Sequence, residues 1–139
     1  MMLQTLSLRR STTLSPYFPV PVPAGYAQAV EQTAETISID DYLRGNSPDV
    51  VGYLRVQGDS MLGDRIRHGD LLVVERTEHA RCGDVVVAEI NGEFTVKRLK
   101  RHSHGLYLVP ANDAYPVQAV RRQDDFRIWA KVKHVIHSF

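Results

Sequence analysis

Ser60 stands in the segment Gly58-Asp59-Ser60-Met61, directly after an alternating stretch that predicts a strand. Glycine permits a sharp turn, and a serine just after such a turn can present its hydroxyl group at the end of a strand. Gly-Asp-Ser alone is a weak signal, because most serines in this setting cap a turn. Ser60 is therefore a candidate nucleophile that still needs a base.

Lys97 is the candidate base. It lies in an apolar and β-branched stretch, where period-two alternation places it on the face of Thr95 and Leu99. To act as a base near neutral pH, a lysine needs its pKa lowered from ~10.4 towards ~7, which costs roughly 4–5 kcal/mol and which burial can supply. A Ser–Lys pair then needs no histidine. The strand position alone favours a simpler interpretation, a surface lysine whose amine extends into water.

The elements that must position these two residues are mostly strands. Apolar or alternating runs bounded by turn residues predict strands at residues 51–57, 71–74, 85–90, 93–99, 106–109, 117–120 and 126–137. Asn91-Gly92 predicts a two-residue hairpin turn, because both positions tolerate positive φ. Residues 40–45 predict a helix of one or two turns. In the last strand, alternation predicts one apolar face, made of Phe126, Ile128, Ala130, Val132 and Ile136.

The first quarter of the chain differs in composition from the remainder. Residues 1–40 contain five of the 33 charged residues and four of the seven prolines. Prolines at positions 16, 19, 21 and 23 exclude a helix and favour an extended backbone. We therefore expect an extended N-terminal arm at residues 1–37 and a domain at residues 38–139, with residues 1–15 forming a disordered tail.

Composition excludes several classes of protein. A net charge of +1 argues against a protein whose main task is to coat nucleic acid or an anionic membrane. The single cysteine, Cys82, excludes an intramolecular disulfide and is expected to be a small, partly buried side chain. No run approaches the ~18–20 apolar residues of a membrane span, and no secretory signal is present, so a cytoplasmic location and no membrane partner are expected.

Histidines and basic residues offer weaker signals. His102 and His104, like His134 and His137, have spacings that could bind a metal, but no carboxylate or cysteine completes an established pattern. We predict surface histidines, no metal site and no cofactor. The basic run at residues 97–102 is predicted to be a solvated hairpin tip, apart from Lys97.

Four motifs in order carry a resemblance to a known family. Together they resemble the self-cleaving Ser–Lys peptidase domain of LexA repressors and UmuD proteins over roughly residues 38–137. The motifs are Val-Gln-Gly-Asp-Ser-Met at 56–61, His-Gly-Asp-Leu-Leu-Val-Val at 68–74, Gly-Asp-Val-Val-Val-Ala at 83–88 and Asn-Gly-Glu-Phe-Thr-Val-Lys-Arg-Leu at 91–99. Each is weak alone, and their common order makes the resemblance specific.

The resemblance implies a fold and a set of site residues. It implies a compact, mainly β domain of short, curved antiparallel strands of the β-clip type, which forms homodimers. It implies that Ser60 is the nucleophile, that Lys97 is the general base, and that the arm is cut between a small residue and a glycine. Ala24-Gly25 is the only Ala-Gly pair in the sequence and lies in the arm. Backbone N–H groups around Asp59 and Ser60 are the natural oxyanion donors.

Layout then distinguishes members of this family. LexA repressors carry a DNA-binding domain before the peptidase domain, whereas only about 40 residues precede it in this sequence, with no helix-turn-helix pattern. This layout resembles that of UmuD proteins. It implies an SOS-response protein whose cleavage is stimulated by a RecA filament on single-stranded DNA. The shortened product would be a dimeric accessory subunit of a UmuC-like, Y-family translesion DNA polymerase. No direct sequence-specific DNA binding is expected.

Two alternatives stay open. The chain could be a dimeric polymerase-binding module that is never cleaved, or a LexA-related transcriptional regulator that binds DNA.

Overall fold

The computed structural model describes residues 13–19, 21–25, 34–46 and 51–139. It confirms a mainly β fold of short antiparallel strands. The described elements are β1 (Ser15–Tyr17), β2 (Glu35–Ile37), α1 (Ile39–Arg44), β3 (Val51–Arg55), a 3₁₀ turn (Leu62–Asp64), β4 (Leu71–Arg76), β5 (Val85–Ile90), β6 (Glu93–His102), β7 (Gly105–Val109), β8 (Gln118–Val120) and β9 (Phe126–Ile136). Each predicted strand is present, most with ends shifted by one to three residues.

The domain strands form one seven-stranded antiparallel sheet in the order β3-β4-β9-β5-β6-β7-β8. The last strand in the chain, β9, therefore lies inside the sheet, between β4 and β5. In a flat sheet β3 and β6, four strand spacings apart, would be separated by roughly 19 Å. Val56, just after β3, and Val96 of β6 nevertheless line the same cleft. The sheet is therefore strongly curved.

Two clusters of buried side chains form the core. The main core contains Leu54, Val56, Met61, Ile66, Leu72, Val74, Val87, Val96 and Ala130. A second, smaller core contains Val86, Ala88, Leu99 and Leu108. Neighbouring residues of β5 contribute to different clusters, because successive side chains of a strand point to opposite faces. The sheet thus buries apolar side chains on both faces.

The predicted helix and hairpin turn are both confirmed. In α1 the Ser38 hydroxyl accepts the Asp41 N–H at 3.3 Å, and Gly45 ends the helix at a φ of 58°. Between β5 and β6, Asn91 and Gly92 have φ values of 52° and 83° and join Ile90 to its partner Glu93. Both positions have the positive φ that a type I′ turn requires.

The predicted single apolar face of β9 is wrong. Phe126 and Ile128 pack against the second core, whereas Trp129, Ala130 and Val132 belong to or pack against the main core. A bulge causes the change: opposite β5, the pairing of β9 slips at Trp129, between Ile128 and Ala130. A second bulge, opposite β4, follows at Lys133. Each bulge adds one residue to the strand, so the alternation changes face and the strand bends.

The arm and Cys82 also differ from expectation. β1 and β2 pair as a separate two-stranded sheet that is largely exposed, so Ser15 is ordered in a strand rather than in a disordered tail. Residues 1–12 lie outside the described residues, and the prediction of disorder stays a prediction there. Cys82 is exposed rather than partly buried, because it lies in the turn before β5.

Candidate active site

Ser60 lies in a short connection that is tied down at both ends. Before it, Val56 continues alongside β4, donating its N–H to Asp70 O at 2.9 Å. Gly58 then makes the turn with a φ of 92°, a conformation that residues with a side chain rarely adopt. After Ser60, Met61 is only 3% exposed and belongs to the main core. The serine is therefore presented between a strand end and a buried anchor, as the Gly58-Asp59-Ser60-Met61 motif predicts.

Lys97 reaches Ser60 from β6. The lysine Nζ lies 2.9 Å from Ser60 Oγ, although the two residues are 37 positions apart in the chain. β6 is held in register by β5, where Val86 pairs with Lys97. The structure thus brings together the two residues that the sequence singled out for chemistry, and their catalytic roles stay a prediction.

Three oxygen atoms surround the lysine amine. Besides Ser60 Oγ, Thr95 Oγ1 lies 2.8 Å from Nζ and the Val96 carbonyl oxygen lies 3.0 Å from it. A neutral amine has two N–H groups and one lone pair. It can donate to Thr95 and Val96 while its lone pair accepts the Ser60 O–H, which is the arrangement that a general base requires.

Burial lowers the pKa of Lys97 below its ordinary value. The cause is desolvation, because part of the amine's hydration shell is replaced by the half-buried surroundings of β6. The direction of the shift is the one that a lysine needs to be neutral closer to physiological pH. The alternative of a lysine that extends into water is excluded, since Nζ is directed onto three protein oxygen atoms.

A small cleft opens beside the pair, lined by Val56, Gln57, Gly58, Ser60, Met61, Phe94, Thr95, Val96 and Lys97. Its walls are largely small or apolar, which suits an extended peptide with a small side chain next to the reacting bond. No arm residue in the described part of the chain lines this cleft. Ala24 and Gly25 are both exposed, so the structure does not bring the predicted cleavage site to the serine.

The backbone near Ser60 offers donors for an oxyanion. Among the described residues, the N–H groups of Asp59 and Ser60 donate to no protein acceptor, whereas the carbonyls of the same two residues are bonded. These are the N–H groups that the sequence analysis named, and their role in catalysis stays a prediction.

Arg98 is a residue whose role was misjudged from the sequence. It was predicted to be part of a solvated hairpin tip, but its guanidinium lies 2.8 Å from the Asp64 carboxylate and also donates to the Gly83 carbonyl. Asp64 ends the 3₁₀ turn that follows Ser60. The ion pair between Arg98 and Asp64 therefore ties that turn to β6. No local sequence pattern predicts this ion pair, because 34 residues separate its partners.

The connection between β7 and β8 was missed entirely. Residues 111–115, which we call the clamp loop, bond to the turn that carries Ser60. The sequence there contains several turn residues, Pro110, Asn112, Asp113 and Pro116, but such residues do not reveal which distant segment a loop contacts.

Three of the four predicted metal-spaced histidines lie at or just beyond the ends of strands, whereas His134 pairs with Val73 inside the sheet and is half-buried rather than on the surface. His102 and His104 are exposed at the β6–β7 turn, and His137 lies 2.7 Å from the buried carboxylate of Asp70. Within the described residues, no group of three or more His, Cys, Asp or Glu side chains is arranged to hold a metal ion. The helices of this part of the chain also lack the length and hydrophobicity for a membrane crossing.

Comparison with known proteins identifies the family of this chain. The family model described as Peptidase S24-like matches residues 16–133. The chain belongs to the Peptidase S24-like family. LexA-type and UmuD-type members of the family are self-cleaving serine peptidases, which is the chemistry that a serine beside a partly buried lysine suits.

Curated proteins of two kinds are among those similar to this S24-like chain. It is 43% identical over 90 residues to LexA repressor 1 of Xanthomonas campestris, which covers 65% of this chain and 44% of the repressor. It is 42% identical over 100 residues to the LexA repressor of Delftia acidovorans, covering 72% of this chain and 44% of that protein. The chain thus spans less than half the length of these repressors.

Protein SamA of Salmonella typhimurium is similar over a longer stretch. It is 36% identical over 125 residues, which is 89% of this chain and 86% of SamA. An alignment of this length includes part of the arm as well as the domain.

Proposed function

We propose that this S24-like chain is an SOS-response protein of the UmuD type, which cuts its own arm between Ala24 and Gly25. The domain division is the one that the sequence predicts, an arm at residues 1–37 and a Ser–Lys peptidase domain at residues 38–139. The observation that carries the proposal is the 2.9 Å contact between Lys97 Nζ and Ser60 Oγ in half-buried surroundings. Similarity to SamA, which is UmuD-like and is matched over most of both chains, supports the UmuD type.

The proposed reaction follows from the atoms around the amine. Neutral Lys97 takes the proton of Ser60, and Oγ attacks the carbonyl carbon of Ala24. The backbone N–H groups of Asp59 and Ser60 hold the developing oxyanion. As the C–N bond breaks, Lys97 returns the proton to the departing amine of Gly25. Water, deprotonated by Lys97, then attacks the ester on Ser60. As the bond between Oγ and the carbonyl carbon breaks, Lys97 returns the proton to Ser60 and residues 1–24 are released as a carboxylic acid.

Thr95 and Val96 have a defined task in this reaction. Their oxygen atoms accept the two N–H groups of the neutral amine, which turns the lone pair towards Ser60. When the amine is protonated during the reaction, the same oxygen atoms stabilise the ammonium ion. The proposed base is thus oriented before the reaction and stabilised during it.

The partners belong to the same proposal. A RecA filament on single-stranded DNA would stimulate the cut in the cytoplasm, and the shortened protein would form a homodimer that assists a UmuC-like, Y-family polymerase. Removal of the arm changes the surface offered to a partner without a second protease. Copurification of the cleaved form with such a polymerase, and loss of that binding in the uncleaved Ser60→Ala variant, tests this step.

Intact mass during alkaline incubation tests the cleavage. We expect the full-length mass to be replaced by a fragment that begins at Gly25, faster as pH rises. The sign follows from the lowered pKa of Lys97: below that pKa the amine holds a proton and cannot accept another, and above it the neutral base is present. RecA filaments should accelerate the reaction at neutral pH.

Three variants make this test specific. Ser60→Ala and Lys97→Ala should each abolish cleavage, whereas Lys100→Ala, which removes the same charge from the same strand, should cleave like the unsubstituted protein. Persistence of the full-length mass with RecA filaments present, beside a LexA repressor that is cut, would contradict self-cleavage. Cleavage at an unchanged rate in Lys97→Ala would show that another group is the base.

A second candidate function is that of a LexA-related transcriptional regulator. It is favoured by the higher identity to LexA repressors over the domain, 43% against 36% for SamA. Binding of the purified chain to a specific operator in a gel-shift assay would support this function over the UmuD type.

A further inference from the structure

The clamp loop contacts the turn that carries Ser60 through its backbone. The Ala111 N–H donates to the Ser60 carbonyl at 2.9 Å, and the Gly63 N–H donates back to the Ala111 carbonyl at 2.6 Å. The two segments meet closely, because a Cβ at Gly63 would lie only 2.6 Å from that carbonyl oxygen. The clamp loop is therefore docked on both sides of Ser60 rather than merely near it.

Side chains of the same loop hold the residue before the serine. Asn112 Nδ2 donates to the Asp59 carbonyl at 3.0 Å, and the Tyr115 hydroxyl donates to the Asp59 carboxylate. Asn112 is itself oriented, because its Oδ1 accepts the Ala114 N–H at 3.0 Å. Because the side-chain oxygen of Asn112 accepts this bond within the loop, its side-chain nitrogen is the group directed at Asp59.

A bonded carbonyl fixes the direction of the N–H in the same peptide unit. The unit is planar and trans, so the N–H of Ser60 points opposite to the carbonyl of Asp59. Asn112 holds this carbonyl from one side, while the Ser60 N–H on the other side donates to no acceptor among the described residues. The Leu62 N–H also reaches the Asp59 carbonyl, at a longer 3.3 Å.

We propose that Asn112 is a positioning residue, which preorganises the Ser60 N–H as an oxyanion donor by holding the carbonyl of Asp59. The inference rests on the proposed function and assigns the clamp loop a part in it. An oxyanion donor is effective only if it is aimed before the reaction, and removal of such a donor typically lowers kcat ~10²–10³-fold. Asn112 orients the Ser60 N–H and is not itself the oxyanion donor, so we expect its replacement to lower the cleavage rate less, by about 10-fold.

The decisive variant is Asn112→Asp. Aspartate keeps an oxygen for the Ala114 N–H but has no N–H for the Asp59 carbonyl. Gln118→Glu is the matched control, since it adds the same charge at an exposed position just beyond the clamp loop and leaves the amide of Asn112 in place. We expect self-cleavage in Asn112→Asp to slow about 10-fold at alkaline pH. In Asn112→Ser, which adds no charge near Lys97, the midpoint of the pH–rate profile should be unmoved. The control should cleave at close to the original rate.

A boronic acid tests the oxyanion directly. We would use a peptide boronic acid with the side chains of residues 21–24. Boron bonds to Ser60 Oγ, the serine proton passes to Lys97, and a boron-bound oxygen occupies the place of the oxyanion. Inhibition should weaken about 10-fold in Asn112→Asp, and the corresponding peptide amide, which forms no such bond, should bind both proteins alike. Asn112→Ser, which is too short to reach Asp59, serves as a second variant if Asn112→Asp does not fold.

The outcomes separate this inference from the proposed function. Unchanged cleavage and boronate affinity in both Asn112 variants would overturn the role of Asn112 while self-cleavage stands. A displaced midpoint of the pH–rate profile in the uncharged variant Asn112→Ser would also overturn it, because Asn112 would then act through the base. If the unsubstituted protein neither cleaves nor binds the boronic acid, the proposed function itself fails.

Discussion

At the scale of single residues, the partly buried lysine amine is the most informative feature of the site. A buried amine without partners would be costly, and this one has three oxygen atoms within 3.0 Å. Residue type and strand position made Lys97 and Ser60 candidates, and the four motifs that resemble the Ser–Lys peptidase family favoured them over a turn-capping serine and a surface lysine. The sequence could not show that burial lowers the pKa of Lys97, because burial depends on which residues the fold packs around the amine.

Replacement of Thr95 by valine tests the orientation of the base. Valine has nearly the same shape but no oxygen, so the amine loses one of the two acceptors that turn its lone pair towards Ser60. We expect self-cleavage to slow by about 10-fold at alkaline pH, within the range by which a positioned base contributes. The measurement is the first-order rate of loss of the full-length mass. Thr77→Val, at another threonine outside the site, is the control, and an unaffected rate in Thr95→Val would assign the orientation to Val96 alone.

At the scale of elements, the site depends on the fit between a turn and a loop from different parts of the sheet. The turn after Ser60 is tied to β6 by Arg98 and Asp64, and to the clamp loop through Gly63 and Ala111. The hairpin at Asn91 and the caps of α1 were predictable because they are local. The bulges in β9 were not, because a bulge is a property of the pairing between strands rather than of one strand's sequence.

Replacement of Gly63 by alanine tests the close approach of these two elements. The added Cβ would lie 2.6 Å from the Ala111 carbonyl oxygen, a backbone atom that cannot rotate away. We expect the free energy of unfolding to fall by about 1–3 kcal/mol, as in other overpacked positions, and self-cleavage to slow because the turn must shift.

Denaturant unfolding and the cleavage rate together check this expectation. Gly105→Ala is the matched control, because the nearest atoms to its Cβ lie 3.9 Å away in ordinary contact. If Gly63→Ala has the same free energy of unfolding as the unsubstituted protein, the clamp loop moves away freely and is not docked against Gly63.

At the scale of the whole molecule, the arm and the domain are built differently. Neither core cluster contains a residue of β1 or β2, and the arm's small sheet is largely exposed. Ala24 and Gly25 are exposed and are not among the residues that line the cleft. A cut at this position therefore requires the arm to move into the cleft of its own or another copy of the chain.

Removal of the arm should leave the domain's stability almost unchanged. Since the two cores contain none of the arm residues that the structure describes, we expect the cleaved product to melt within about 3 °C of the uncleaved Ser60→Ala variant. Differential scanning calorimetry of the two proteins measures this difference. A much lower melting temperature after cleavage would indicate that the arm packs on the domain more extensively than the described residues do.

By itself, the sequence determined what depends on residue type and near neighbours. It specified the strands, the Asn91-Gly92 turn, the capped helix and a serine and lysine whose motifs belong to one family. These follow from local preferences that act over a few residues. The tertiary structure alone decided the strand order, the change of face within β9, the pairing of Arg98 with Asp64 and the docking of the clamp loop on the serine's turn. Those contacts join residues more than thirty positions apart, and their partners are selected by the curvature of the sheet rather than by the pattern of either segment.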